Sequence, residues 1–144
     1  MYKNIFFFVV LLLTTTSSFS GDFKGAKRIK FLNYPDCIEL KNSAGTTAVL
    51  SHHVGGRVLS YRKNNKESLF IADNEREWKP DGSKKPSSAG RFDIGPEYLI
   101  PKRKELWSGK WTSTIIGPRS ARLESKESKD AGIRLIREFI LDEK

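Results

Sequence analysis

The strongest constraint on this chain is a succession of short segments in which apolar and polar residues alternate. "KWTSTIIG" places Trp111, Ser113 and Ile115 on one side and Thr112, Thr114 and Ile116 on the other. "PRSARLESKES" does the same, with Ala121, Leu123 and Ser125 opposed to Arg122, Glu124 and Lys126. A period of two belongs to strands, whose successive side chains point to opposite faces. "CIELKN" and "TTAVLSH" flank "SAG" as two strands around a hairpin turn. "GRVLSYR" follows, with Val58 and Ser60 on one face and Arg57, Leu59 and Tyr61 on the other. "NNKE" is a turn into a further strand, "SLFIA". Near the end, "IRLIREFILDE" has Ile133, Ile136 and Ile140 at helical spacing. Its β-branched content and the odd positions Ile133, Leu135, Phe139 and Leu141 favour a strand. The expected class is all-β, an antiparallel meander or sandwich.

The chain opens with a segment that does not belong to this pattern. "MYKNIFFFVVLLLTTTSSFS" has one cation, Lys3, a run of nine apolar residues from Ile5 to Leu13, then small polar residues. That is the pattern of a secretory signal peptide, residues 1–20, with cleavage expected near Ser20–Gly21. Nine apolar residues are too few for a membrane-spanning helix, which needs ~20. Removing the first 20 of 144 residues leaves one modest domain of 124, residues 21–144. The reading is a soluble exported chain, periplasmic or extracellular, with no membrane partner once the signal has been removed.

Cys37 is the only cysteine, so no internal disulfide can staple the fold and packing must hold it. In "DCIEL" it reads as a buried, inert thiol. The net charge is +9, or +8 without Lys3. Export argues against nucleic acid as the partner, and acids are interspersed among the cations of "KNNKES", "DGSKKPSS" and "PKRKE". Most of them read as a solvated surface. A basic module for acidic polysaccharide, using Lys84, Lys85, Lys102, Arg103 and Lys104, stays open as an alternative.

No nucleophile elbow, phosphate loop or metal-type Cys/His spacing occurs, and no cofactor or metal is expected. His52 and His53 are neighbours, so on a strand they would face opposite ways. Between Asp73 and Pro86 the apolar period stops, and a long loop is expected. It leads into "SAGRFDIGPE". There Gly90 and Gly95 permit unusual backbone angles and Pro96 fixes the chain before Glu97. Extended, this segment would put Phe92 and Ile94 inward as anchors and Arg91 and Asp93 outward. Two readings stay open. A guanidinium and a carboxylate suit the vicinal hydroxyls of a sugar, or Arg91 pairs with Asp93 or Glu97 to lock a turn. Of Trp78, Trp107 and Trp111, one or two belong in the core, and Trp107 is expected to be the exposed one. "VGGRVLSY" reads as a glycine turn before a strand, with Arg57 at the surface.

"VLSHHVGGRVLSY", "SAGRFDIGPE", "ELWSGKWT", "GPRSARLES" and "GIRLIREFILDE" occur in that order between Ala48 and Asp142. Together they resemble an uncharacterised bacterial family, frequent among exported proteins, with the galactose mutarotase-like (aldose 1-epimerase-like) fold. The resemblance implies a two-sheet antiparallel supersandwich whose concave face binds carbohydrate. It also implies that "AGRFDIGPE" is a sugar-contacting loop, with Arg91, Asp93 and Glu97 as ligands and Arg57 at the edge of the same face; the exposed Trp107 would add an aromatic face on which a sugar can stack. Proteins of that fold are roughly twice as long, and their acid histidine and base glutamate would fall after Lys144. The expectation is therefore an N-terminal, partial sandwich that binds a mono- or oligosaccharide, with no catalytic residue assigned. An active aldose epimerase is the alternative if the sequence continues, or if Glu97 and a local histidine substitute as the pair. Open sheet edges on such a chain would favour self-association.

Overall fold

The structure is a computed structural model that describes residues 23–82, 90–96, 98–101 and 103–144. The expected signal segment lies outside the described residues. Two antiparallel sheets form, as the alternation requires. The first runs in sequence order: β1 (Ala26–Phe31), β2 (Tyr34–Lys41), β3 (Thr46–Ser51), β4 (Arg57–Lys63) and β5 (Lys66–Glu67). The second contains β6 (Thr112–Gly117), β7 (Ser120–Glu124) and β8 (Ile136–Ile140), again in order. Between them in the chain lie two single-turn helices, α1 (Asp73–Arg76) and α2 (Lys104–Trp107). Among the described residues no helix is long and apolar enough to cross a membrane.

The sheets face each other around one core. Ile38, Leu40, Ala48 and Leu50 from the first sheet meet Trp111, Ala121 and Leu123 from the second. Arg28 fastens one side of this sandwich. Its two terminal nitrogens donate to the Ser113 hydroxyl at 2.7 Å and the Ser113 carbonyl at 2.6 Å, tying β1 to β6. The other face of the first sheet is covered as well. Tyr34, Cys37, Val49, Val54 and Leu59 pack there beneath Trp78, which is carried in just after α1. Strands buried on both faces lose their polar alternation, which is why "AVL" in β3 is continuously apolar. Cys37 is fully buried on this second side, and burial pushes its thiol up to about 12. That is the inert thiol expected of it.

Three local expectations need correction. In β4 the register passes from Val49↔Ser60 to Leu50↔Val58, so Leu59 is an extra residue. Such a bulge reverses the facing of everything beyond it. Tyr61 therefore joins Val58 on the inner side, where both line one cleft, instead of sharing a face with Arg57 and Leu59. Second, "SLFIA" forms no strand. The Asn64–Asn65 turn forms, with φ of 48° and 63°, but β5 is only two residues long. The Glu67 carboxylate then accepts from the Tyr61 and Leu69 amides, at 2.9 and 3.1 Å, closing that edge with a side chain. Phe70 is left 69% exposed. Third, the C-terminal segment is a strand, but Ile133 precedes it and only bridges to Ser128.

Candidate functional site

Most residues singled out by sequence come from the connection between β4 and β6, with Arg57 at the start of β4, and two glycine contacts hold its described parts against the first sheet. Gly90 has φ of +80°, and a Cβ there would stand 1.8 Å from the Val58 carbonyl oxygen. Its own carbonyl accepts from the Val58 amide at 3.1 Å. Only glycine permits this approach, and it fixes where Arg91 leaves the backbone. Gly55 has φ of +72°, and a Cβ there would lie 2.0 Å from the Trp107 carbonyl oxygen. The Gly55 amide donates to Gly109 and the Trp111 amide to His52, at 2.9 and 2.7 Å. Trp111 closes the seat by donating its indole N–H to the Glu105 carbonyl at 3.0 Å. The glycine pair before β4 is thus a socket for α2 and its flanks.

Arg91 and Trp107 meet at the surface produced by these two contacts. The Arg91 guanidinium carbon lies 5.3 Å from the centroid of the Trp107 ring system. Trp107 is 40% exposed, whereas Trp78 and Trp111 are buried, as the sequence suggested. Arg91 itself is half-buried. Burial lowers its pKa first and the field of Arg57 adds to this, while Glu75 and Tyr34 oppose it. Arg91 therefore stands within electrostatic reach of a second, deeper cluster.

That cluster replaces the expected surface position of Arg57. Arg57 is fully buried and pairs with Glu75, also buried, which α1 carries down onto the sheet. The Tyr34 hydroxyl donates to the same Glu75 oxygen and accepts from Arg57 Nη2 at 3.1 Å. Burial, followed by the Glu75 hydrogen bond, raises the Tyr34 phenol well above its ordinary value, so it remains a donor. Trp78 stacks on Tyr34 with ring centroids 4.2 Å apart and planes 18° from parallel. Arg57 does lie under the connection that carries Arg91, but its guanidinium is sealed from ligand. Its role here is to hold α1 and Trp78 in place.

Asp93 is committed elsewhere. Its carboxylate accepts from Arg103 at 2.7 and 2.5 Å, and that bond holds it below its ordinary pKa. Asp93 thus pairs with Arg103, while the other lock weighed for this segment, Arg91 with Glu97, involves a residue outside the described ones. Phe92 is no buried anchor, since it is 46% exposed, with the Arg137 guanidinium carbon 4.8 Å from its ring centroid. Ile94 is half-buried. Glu97, Lys84, Lys85 and Lys102 lie outside the described residues, and Lys104 is exposed at the start of α2.

The histidines also differ from expectation. They follow the end of β3, where strand alternation no longer applies, and their rings stack 4.2 Å apart. His52 Nδ1 accepts from the Ser113 hydroxyl at 2.8 Å, and His53 Nε2 donates to the Pro35 carbonyl at 2.5 Å. Burial, and then the neighbouring His53, lowers the His52 pKa to about 4, so it is neutral at pH 7. Among the described residues no group of three or more His, Cys, Asp or Glu could hold a metal ion.

Sequence reasoning did not find Tyr34 and Glu75. A signal was available in "DNEREW", where Glu75 and Trp78 sit three apart and share a helical face. Comparison with protein-family models, with curated proteins and with solved structures finds no match to this chain.

Proposed function

We propose that this protein is an exported carbohydrate-binding protein of the mutarotase-like class, and that Arg91 and Trp107 form its sugar contact. One observation carries the reading: a half-buried guanidinium lies against a partly exposed indole, both set by glycine contacts that admit no side chain. An indole offers an apolar surface to the C–H side of a pyranose, and a guanidinium offers paired donors to adjacent hydroxyls. A preformed pair binds without first ordering two long side chains. Asp93 supports the shelf through Arg103 instead of contacting sugar, and Arg57 supports it from below.

Binding is favoured over catalysis by the state of the ionisable groups. The acid Glu75 is 1% exposed, paired with Arg57 and bonded by the Tyr34 hydroxyl, so a substrate cannot reach it. His52 is tied to Ser113.

Titration of tryptophan fluorescence with a panel of neutral mono- and oligosaccharides tests the reading, with wild type compared to Arg91→Ala. The expected result is saturable binding to at least one sugar that survives moderate salt and is lost in the variant, with the urea midpoint unchanged. Binding that collapses with salt would favour an acidic polysaccharide site instead. Equal affinity in the variant would remove Arg91 from the site.

A further inference from the structure

Among the described residues the two sheets are unequal, five strands against three. β1 lies against β6 and β2 against β7. Continuing that stacking sets β8 over β3, with no strand of the second sheet opposite β4 among the described residues. The consequence is an apolar slot of about 190 Å3, walled by Leu50, Val58 and Tyr61 below and, to one side, by Phe139 of β8 and Leu141 just after that strand. Tyr61 is 41% exposed there.

The slot is bordered by unused strand edge. Among the described residues β8 pairs only with β7. The Leu141 amide donates to Arg119 and the Leu135 carbonyl accepts from Ser125, so the odd positions face β7. Alternate residues of an antiparallel strand turn both backbone groups to the same neighbour. Ile136, Glu138 and Ile140 therefore present their N–H and C=O groups to the open side. The floor of the slot ends on a cation: Lys63 follows Tyr61 by two on β4 and hydrogen-bonds the Ala44 carbonyl at 2.6 Å and the Thr46 hydroxyl at 3.4 Å, neither of them a carboxylate.

We propose that this slot is a docking site for one extended segment of another polypeptide, which adds to β8 as a fourth strand. The spacing favours a single strand, because neighbouring strands lie ~4.8 Å apart and β5, beyond β4, is only two residues long. Its alternate side chains would be apolar over Val58 and Tyr61, and acidic where they reach Lys63. The docking mode is strand addition, with affinity from main-chain bonds and selectivity from the alternate side chains. A second folded copy does not fit edge to edge. Its own β3 and β4 would need the layer already occupied by β4 and β5.

The test uses the full chain and two synthetic hexapeptides of alternating threonine and valine, one ending in glutamate and one in lysine. At roughly 1 mM peptide, a concentration that reveals even weak binding, hydrogen exchange should slow at the Ile136, Glu138 and Ile140 amides. The glutamate peptide should bind about fivefold more tightly than the lysine peptide, in the range of one cross-strand charge pair. Lys63→Glu should reverse that preference, and Ile140→Pro should abolish binding of both peptides while β7 pairing persists. Absence of protection at those three amides, or an unchanged preference in Lys63→Glu, would overturn the proposal. Protection that rises with protein concentration alone would also overturn it, in favour of a second copy.

Discussion

Replacing Glu75 by alanine strikes the buried contact that holds α1 against the first sheet. The Arg57 and Glu75 side chains are 0% and 1% exposed, so neither charge is relieved by water. Removing one member of such a pair strands the other, at a typical cost of about 3–5 kcal/mol. Tyr34 simultaneously loses the acceptor for its hydroxyl, adding about 1 kcal/mol. Domains are stable by only ~5–15 kcal/mol, so the variant should sit near the edge of folding at 25 °C. Urea unfolding followed by tryptophan fluorescence measures this as a large fall in midpoint at an unchanged slope. The paired replacement Arg57→Met with Glu75→Leu removes both charges and should recover most of the loss, because an apolar pair carries no desolvation cost. A Glu75→Ala loss below about 1 kcal/mol would place the ion pair in a solvated setting and refute the reasoning.

Two further predictions concern the flanks of the site. His52 has a folded pKa of about 4 against an ordinary 6.5, so the unfolded chain binds its proton first as pH falls. Stability should therefore be full above pH 6.5 and decline by roughly 3 kcal/mol on descending to pH 4. Thermal melts across that window should show the slope, and His52→Gln should flatten it. Gly90→Ala forces a Cβ onto the Val58 carbonyl at positive φ, and should destabilise by roughly 2–3 kcal/mol, with sugar binding lost even where the chain remains folded. Chemical denaturation and a sugar titration on the same sample separate the two effects.

Much of the architecture was legible because period-two patterns report facing directly. β6, β7 and β8 carry their inward residues where the alternation puts them. The exceptions have physical causes. One extra residue at Leu59 reversed Tyr61 across a bulge, and only the register with Val49 and Leu50 shows it. The Glu67 carboxylate took over backbone donors that a longer β5 would have used, so "SLFIA" stayed irregular. At the site, Trp107 was legible as the exposed tryptophan from its polar, glycine-rich surroundings. Arg57 was not, because its burial depends on Glu75, 18 residues on in a segment without periodicity. Asp93 likewise found Arg103, ten residues away, and no spacing rule links two loop residues.

In the proposed site a sugar stacks on Trp107 beside Arg91. Saturation-transfer NMR tests it most directly, by irradiating the indole protons and reading the C–H protons of a bound saccharide. Transfer should concentrate on one face of the sugar ring in wild type and disappear in Trp107→Leu while the fold persists. Equal transfer in that variant would place the sugar elsewhere than on Trp107.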